Sequence, residues 1–394
     1  MVGCKKNNTT AIVPSVEDSF TVTINNGYGS GKYKIGDTVH IFTNHYTSSQ
    51  LFDSWSGDAS LLNAPTEWHT WLVMPNRNVA ITGSLKVSAN FTLQLEQIKG
   101  RDRLKPVYYY FPAGHKGFVY LLHGTGGKAI FTVNDFEFIQ LIKDLVTDNF
   151  GVIITEAEEA TTGVDANADG KLRWNELPND TLTNIDYANI KAITDTFYNR
   201  NITSRSKLRY SIGMSNGGYF TSFLSTIFKY KVGISYCAQT TGLLVQATTT
   251  PIQFCMARYD NNDNVGAAGN IAAFTNYTNL LARGICSKYF VKEHSPIYAE
   301  RFARRGDISI NQSVAVFNEL KAKGYINNKN YYIGYSDALT NTYNANPTSF
   351  SALNNLNAFQ KSFVVQQIDL SVSDHQMYSD YNRATLKFLN TQCQ

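Results

Sequence analysis

Charge is scarce in this chain. Asp, Glu, Lys and Arg make up 17% of its 394 residues, below the quarter or so of an ordinary soluble domain. The small positive excess, +4, gathers into no dense basic stripe, so a nucleic-acid partner is not expected. No run of eighteen apolar residues occurs, which leaves no segment expected to cross a membrane as a helix. His and Cys do not recur at zinc-ligand spacing. Histidine is rare, seven in all, and only His294 and His375 follow residue 215. The glycine-rich turn Gly124-Thr125-Gly126-Gly127-Lys128-Ala129 lacks the hydroxyl of a phosphate loop and the third glycine of a dinucleotide fingerprint. What remains is a chain long enough for a large core, polar but weakly charged, rich in Asn, Thr, Ser and Tyr.

Against that background Gly213-Met214-Ser215-Asn216-Gly217-Gly218 stands out. It follows the apolar run Tyr210-Ser211-Ile212 and precedes a helix-like stretch, Tyr219 to Phe228. A nucleophilic serine on a strand-to-helix turn needs glycine two residues before and two after, and the helix start offers N–H groups to a developing oxyanion. A base must follow. His375, in Ser373-Asp374-His375-Gln376, comes after the strand-like Phe363 to Leu370, whereas His294 sits in a polar loop. His375 is therefore the expected base. An acid is expected just past the apolar strand Pro251 to Ala257, where Asp260 and Asp263 both lie, with Glu158 a more distant rival. Upstream, the apolar Val119-Tyr120-Leu121-Leu122 runs into His123-Gly124-Thr125. The N–H groups of Thr125 and Asn216 are the expected oxyanion donors.

These pieces resemble the α/β-hydrolase superfamily, and more narrowly the secreted polyhydroxybutyrate depolymerase and feruloyl esterase group, whose nucleophile elbow Gly213–Gly218 matches. The likeness runs from about Tyr108 to the C-terminus. It implies nucleophile Ser215, base His375, acid Asp263 and oxyanion donors Thr125 and Asn216. The chain departs from the pattern in the long stretch between acid and base. That stretch holds a helical segment, Ser313 to Lys323, and an aromatic, Asn-rich segment, Tyr331 to Phe350. An insertion over about 266–360 is expected to act as a cap over the active site.

A second motif, Asp165-Ala166-Asn167-Ala168-Asp169-Gly170-Lys171-Leu172-Arg173-Trp174-Asn175-Glu176, matches the twelve-residue calcium loop. Side-chain oxygens fall at positions 1, 3 and 5, glycine at 6, the Lys171 carbonyl at 7 and Glu176 at 12. Position 9 is Arg173, and Pro178 and Gly163 spoil the flanking helices, so a structural Ca²⁺ in a lone loop is expected. Trp174 is read either as lining the substrate cleft or as packing beneath the loop.

The first ninety residues differ in kind. Residues 1–16 form a polar tether in which Gly3-Cys4-Lys5 resembles a bacterial lipoprotein processing site, so Cys4 is the expected lipid anchor and the protein is expected outside the cytoplasm. Alternating strands with Gly/Asn turns follow over 17–90, a small all-β module. Its Gly-Ser-Gly turn, Trp55-Ser56-Gly57-Asp58 and Met74-Pro75 resemble the internalin B-repeat of bacterial surface proteins. That resemblance implies a spacer or a contact with cell surface or polymer. Trp55, Trp68 and Trp71 are read as core residues or a stacking platform. Cys237, Cys255, Cys286 and Cys393 allow up to two disulfides, though Cys237 and Cys255 lie in apolar runs that suit buried thiols. Arg301, Arg304 and Arg305 read as a solvated helix face. The expectation for 91–394 is an α/β-hydrolase domain cleaving carboxylic esters, small or polymeric, with a peptidase of the same fold or a non-catalytic binding protein as alternatives.

Overall fold

The computed structural model describes residues 19–43 and 49–393; Cys4 and the tether lie outside them. Seven strands build the N-terminal module: β1 (Ser19–Asn25), β2 (Gly27–Tyr28), β3 (Gly31–Lys34), β4 (Thr38–Thr43), β5 (Gln50–Gly57), β6 (His69–Val73) and β7 (Val79–Val87). They form two sheets, ordered β3-β1-β7-β5 and β2-β4-β6. Alternation puts Val22, Ile24, Ile41, Leu72, Val79 and Ile81 into one core. Trp55 and Trp68 are buried in it, so neither belongs to a surface platform.

The larger sheet has eight strands: β8 (Gln94–Lys99), β9 (Leu104–Tyr110), β10 (Gly117–Leu122), β11 (Phe150–Ile154), β12 (Leu208–Met214), β13 (Val232–Tyr236), β14 (Ile252–Ala257) and β15 (Ser287–Lys292). Their spatial order is β8-β9-β11-β10-β12-β13-β14-β15. β9 runs antiparallel to both β8 and β11, and the rest of the sheet is parallel. An antiparallel start, one swap of neighbours and a parallel run to the end make this the α/β-hydrolase fold. β10 shows why the parallel strands read as continuous apolar runs. Its Val119 and Leu121 face the helices Phe136–Thr147 and Asn382–Thr391, while Phe118, Tyr120 and Leu122 face Ile185–Asn199 and Asn216–Ile227. Both faces are covered, so no position can be polar at low cost.

The expected cap boundaries need correction. The helix Gly266–Ala282 and β15 complete the sheet, and the insertion proper begins after Lys292. It carries helices Ile310–Ala322 and Ser336–Ala345 and ends in the helix Ala358–Val372, which packs with it around Phe302, Val316, Leu320, Phe350 and Val364. The strand expected at Phe363 to Leu370 is thus a helix. Its N-terminus is a capping box in which Asn357 Oδ1 accepts the Gln360 N–H and Gln360 Oε1 accepts the Asn357 N–H, at 3.0 and 2.9 Å.

The insertion and the β-module grip each other. Tyr28 stacks on Tyr298 at 4.3 Å, and the Arg304 guanidinium lies 3.9 Å above Trp68 while donating to Glu137 at 3.0 Å. Arg301 and Arg304 are buried here, contrary to the solvated face expected of them, because the module covers them. Two further buried clasps join the module to the larger domain. Glu67 accepts the N–H groups of Arg383 and Ala384 at the start of the last helix, at 3.3 and 2.8 Å. His69 Nδ1 meets Asp380, which also pairs with Lys292, each at 2.5 Å. A module held this way packs as one body with the eight-stranded domain. One disulfide, Cys286–Cys393, ties the start of β15 to the C-terminal segment; Cys237 and Cys255 are buried free thiols.

Candidate active site

The segments that carry Gly124–Thr125, Ser215 and Asp260 leave the C-terminal ends of parallel strands, where an open α/β sheet gathers its loops, whereas His375 follows the helix Ala358–Val372. β12 delivers Ser215. The turn is so tight that a Cβ on Gly213 would lie 2.1 Å from the Gly217 carbonyl oxygen, and Ser215 itself takes φ 56°, ψ −127°. Its N–H donates to the Tyr236 carbonyl at 2.8 Å, which fixes the turn against β13. Strain at this residue is the structural cost of lifting Oγ clear of the sheet.

His375 faces that oxygen. Its Nε2 lies 2.8 Å from Ser215 Oγ and its Nδ1 lies 2.7 Å from Asp260 Oδ2. The aspartate that meets the imidazole is therefore Asp260 and not the expected Asp263. Asp263 is exposed on the same loop and makes no hydrogen bond to the imidazole, whereas the Asp260 side chain is fully buried. The reason is a stitch between the two loops. Asp374 Oδ1 accepts the Asn261 and His375 N–H groups at 2.9 and 2.6 Å, and the Ser373 hydroxyl accepts the Arg258 N–H at 2.8 Å while donating to the Lys292 carbonyl at 2.5 Å. That stitch pulls the first residues after β14, not the later ones, under the imidazole. Ser373 and Asp374 were missed as site residues, although their place beside His375 was a signal.

The opposite wall comes from β10. A Cβ on Gly124 would come within 3.0 Å of Ser215 Cβ, so the backbone itself forms the wall. His123 holds the turn. Its Nε2 accepts the Ala157 N–H at 3.1 Å, so its Nδ1 carries the proton and donates to the Gly124 carbonyl at 2.6 Å. Burial lowers its pKa to about 4, which keeps it neutral. The N–H groups of Thr125 and Asn216 are bonded to no other group of the described residues, and both residues line the cavity. His294 and Glu158 lie elsewhere: His294 packs edge-on against Tyr331, and Glu158 pairs with Lys105 and Arg103.

The cavity above Ser215 holds about 500 Å³. No residue of the insertion lines it, so among the described residues the insertion is not its lid. Its far wall is the loop 165–176, through Lys171, Arg173 and Glu176. This loop is bolted to both oxyanion segments. Gly126 N–H donates to the Leu172 carbonyl at 2.7 Å, and Asn216 pairs its side-chain amide with the Trp174 backbone at 2.8 and 3.1 Å. Trp174 is buried beneath, stacked 5.1 Å from Phe220, and does not line the cavity.

As folded, the twelve positions of the loop fit a calcium shell only in part. The first half has the expected turn: Asp165 accepts the Asp169 and Gly170 N–H groups at 3.3 and 2.6 Å, and Ala168 and Gly170 take positive φ. The second half is committed elsewhere. Asp169 forms an ion pair with Arg173, and Glu176 lines the catalytic cavity. The three carboxylates Asp165, Asp169 and Glu176 do not converge; among the described residues one set of three His, Cys or acidic ligand atoms does, and it is Cys237, Asp260 and His375. Glu159 secures the loop from below, accepting the Ala166 and Arg173 N–H groups and the Asn175 amide at 3.1, 3.0 and 2.9 Å.

No protein-family model and no curated protein matches the chain. Solved structures do. The Pyrococcus furiosus esterase Pf2001 is similar at 12% identity over 52% of this chain and 87% of its own, with a TM-score of 0.36. Est1E from Butyrivibrio proteoclasticus, solved with ferulic acid bound, is similar at 12% identity over 51% of this chain and 88% of its own, with a TM-score of 0.35. The Pyrococcus horikoshii acylaminoacyl peptidase is similar at 12% identity over 78% of this chain and 55% of its own, with a TM-score of 0.39. At such distances the assignment of fold stands on the strand order above.

Proposed function

We propose that this protein is a serine hydrolase of carboxylic esters, acting on short acyl groups carried by a polar alcohol such as a polysaccharide. The observation that carries the reading is the unbroken Asp260–His375–Ser215 relay opening into a polar cavity. Ser215 Oγ attacks the ester carbonyl carbon as His375 Nε2 takes its proton. Buried Asp260 holds the Nδ1–H tautomer and stabilises the imidazolium. The oxyanion is received by the Thr125 and Asn216 N–H groups, which need not reorganise because no other partner holds them. Collapse breaks the ester C–O bond, and His375 returns the proton to the departing alkoxide. Water, deprotonated by the same nitrogen, then releases the acid from Ser215.

The cavity supports a short, polar substrate over a lipid or a bulky polyester. Its walls carry Lys171, Arg173, Glu176 and the amides of Gln239, Asn262 and Asn264, and a long acyl chain would strand these groups without water. The Cys286–Cys393 disulfide suits an oxidising compartment, in keeping with export and a lipid anchor at Cys4. The test is hydrolysis of p-nitrophenyl esters from acetate to decanoate by the wild type and by Ser215→Ala. An optimum at acetate or butyrate, abolished in the variant, is expected. No turnover at any chain length would refute the esterase reading and turn attention to peptide substrates.

A further inference from the structure

The calcium-like loop sets a cation beside the reacting centre. Arg173 lies between Leu172, which accepts from Gly126, and Trp174, which is paired with Asn216. The residues on either side of it are thus clamped to the two segments that carry the oxyanion donors. Its own N–H is fixed by Glu159 at 3.0 Å. Arg173 lines the cavity, its guanidinium paired with Asp169 through Nη2 and a third of the side chain exposed. Two residues earlier Lys171 lines the same cavity, and its ammonium makes no ion pair among the described residues. Against these two cations the cavity lining sets one carboxylate, Glu176.

We infer that Lys171 and Arg173 form a carboxylate-binding subsite, and that the natural ester bears a carboxylate a few bonds from its scissile carbonyl, as an acylated uronate unit or a half-ester of a dicarboxylic acid does. The inference rests on the esterase reading and sharpens its substrate class. A guanidinium and an ammonium bordering a partly desolvated cavity offer charge-assisted hydrogen bonds to a carboxylate. A neutral substrate would bring no counter-charge to the pair.

Two matched pairs of esters test this and separate the two placements of the carboxylate. On the acyl side, mono-p-nitrophenyl glutarate is compared with p-nitrophenyl butyrate; on the alcohol side, 4-acetoxybenzoate is compared with phenyl acetate. The expected result is a kcat/KM about tenfold or more higher for the anionic member of one pair, after correction for the two leaving groups' uncatalysed rates. That ratio falls toward one in Arg173→Gln and in Lys171→Gln, survives in Arg173→Lys, and shrinks with added salt. Lys231→Gln, an exposed lysine outside the cavity lining, leaves the ratio unchanged and controls for net charge. Equal handling of both pairs by an enzyme that cleaves neutral esters through Ser215 would overturn the subsite and leave the esterase standing. So would a preference that survives the loss of both cations. Failure to cleave any ester would overturn both. Glutarate and benzoate binding to Ser215→Ala, followed by calorimetry and lost in Arg173→Gln, gives the same answer without turnover.

Discussion

Replacing Asp260 by Asn discriminates between the two acids that primary structure left in competition. The carboxylate accepts two N–H groups, His375 Nδ1 at Oδ2 and the Asn262 backbone at Oδ1, at 2.7 and 3.0 Å. An Asn side chain keeps the shape but owns one acceptor and one donor. The backbone N–H of Asn262 cannot change character, so the amide oxygen stays there and the NH₂ turns to His375. Nδ1 must then accept, the ring proton moves to Nε2, and the nitrogen facing Ser215 Oγ can no longer take its proton. A wrong-tautomer histidine of this kind costs about 10⁴ in kcat in a serine triad, or roughly 5.5 kcal/mol of barrier at 1.36 kcal/mol per tenfold. Exposed Asp263 offers no such contact, and Asp263→Asn is expected to stay within about twofold of wild type. Steady-state hydrolysis of p-nitrophenyl acetate by the three proteins, with circular dichroism to confirm folding, decides the matter. An Asp260→Asn enzyme within tenfold of wild type, or an Asp263→Asn enzyme equally crippled, would refute the assignment.

Three further outcomes are expected. Cys393→Ser opens a loop of sequence separation 107, for which chain entropy predicts a loss of ~4–5 kcal/mol, read as a lower urea midpoint under oxidising conditions and no change once the wild type is reduced. Arg304→Met removes the cation paired with Glu137, a fully buried carboxylate that keeps the Gln367 and Ser379 donors, and is expected to cost about 3 kcal/mol; the double variant with Glu137→Gln recovers part of that loss in thermal melts. The docking of the β-module is pH-sensitive at both ends. Burial lowers His69 from 6.5 to about 4, so its contribution is complete above pH 6.5 and is lost as pH falls through about 4, ~3 kcal/mol at 1.36 kcal/mol per unit. Burial pushes Glu67 up to about 8, so its contribution is complete below pH 4.5 and is lost as pH rises through about 8. The two terms nearly offset between about pH 4.5 and 6.5, so a broad melting-temperature maximum near about pH 5.5 with a fall toward pH 8, the maximum moving to more acid pH in His69→Gln, is the expected profile; a melting temperature flat from pH 5.5 to 8 and unchanged in shape by His69→Gln would show that neither group is linked to stability.

What could be read from primary structure was chemistry that is local in the chain. Gly213, Ser215 and Gly217 lie within one turn, and the demand for glycine there is set by atoms two to four residues apart, so the spacing alone marks the elbow. The apolar runs at Val119–Leu122, Tyr210–Ile212 and Pro251–Ala257, which lie in β10, β12 and β14, were legible for the same reason, as patterns within single strands. Asp260 and Asp263 could not be told apart because the deciding contacts, Asp374 to Asn261 and Ser373 to Arg258, cross more than a hundred residues. The insertion was placed over the active site by analogy, whereas its buried face is matched to residues of the β-module: Tyr298 to Tyr28, and Arg304 to Trp68. Nothing in either segment alone announces the other. The helix Ala358–Val372 was misread on its Phe363-Val364-Val365 run even though Asn357 and Gln360 spell a capping box; the terminal signal there outweighs β-propensity, because tertiary burial accepts β-branched residues in a helix at small cost. The loop 165–176 carries the same lesson into function. Its first six residues keep the turn that the motif encodes, while Arg173 and Glu176 line the cavity above Ser215, a placement that the motif's spacing does not carry.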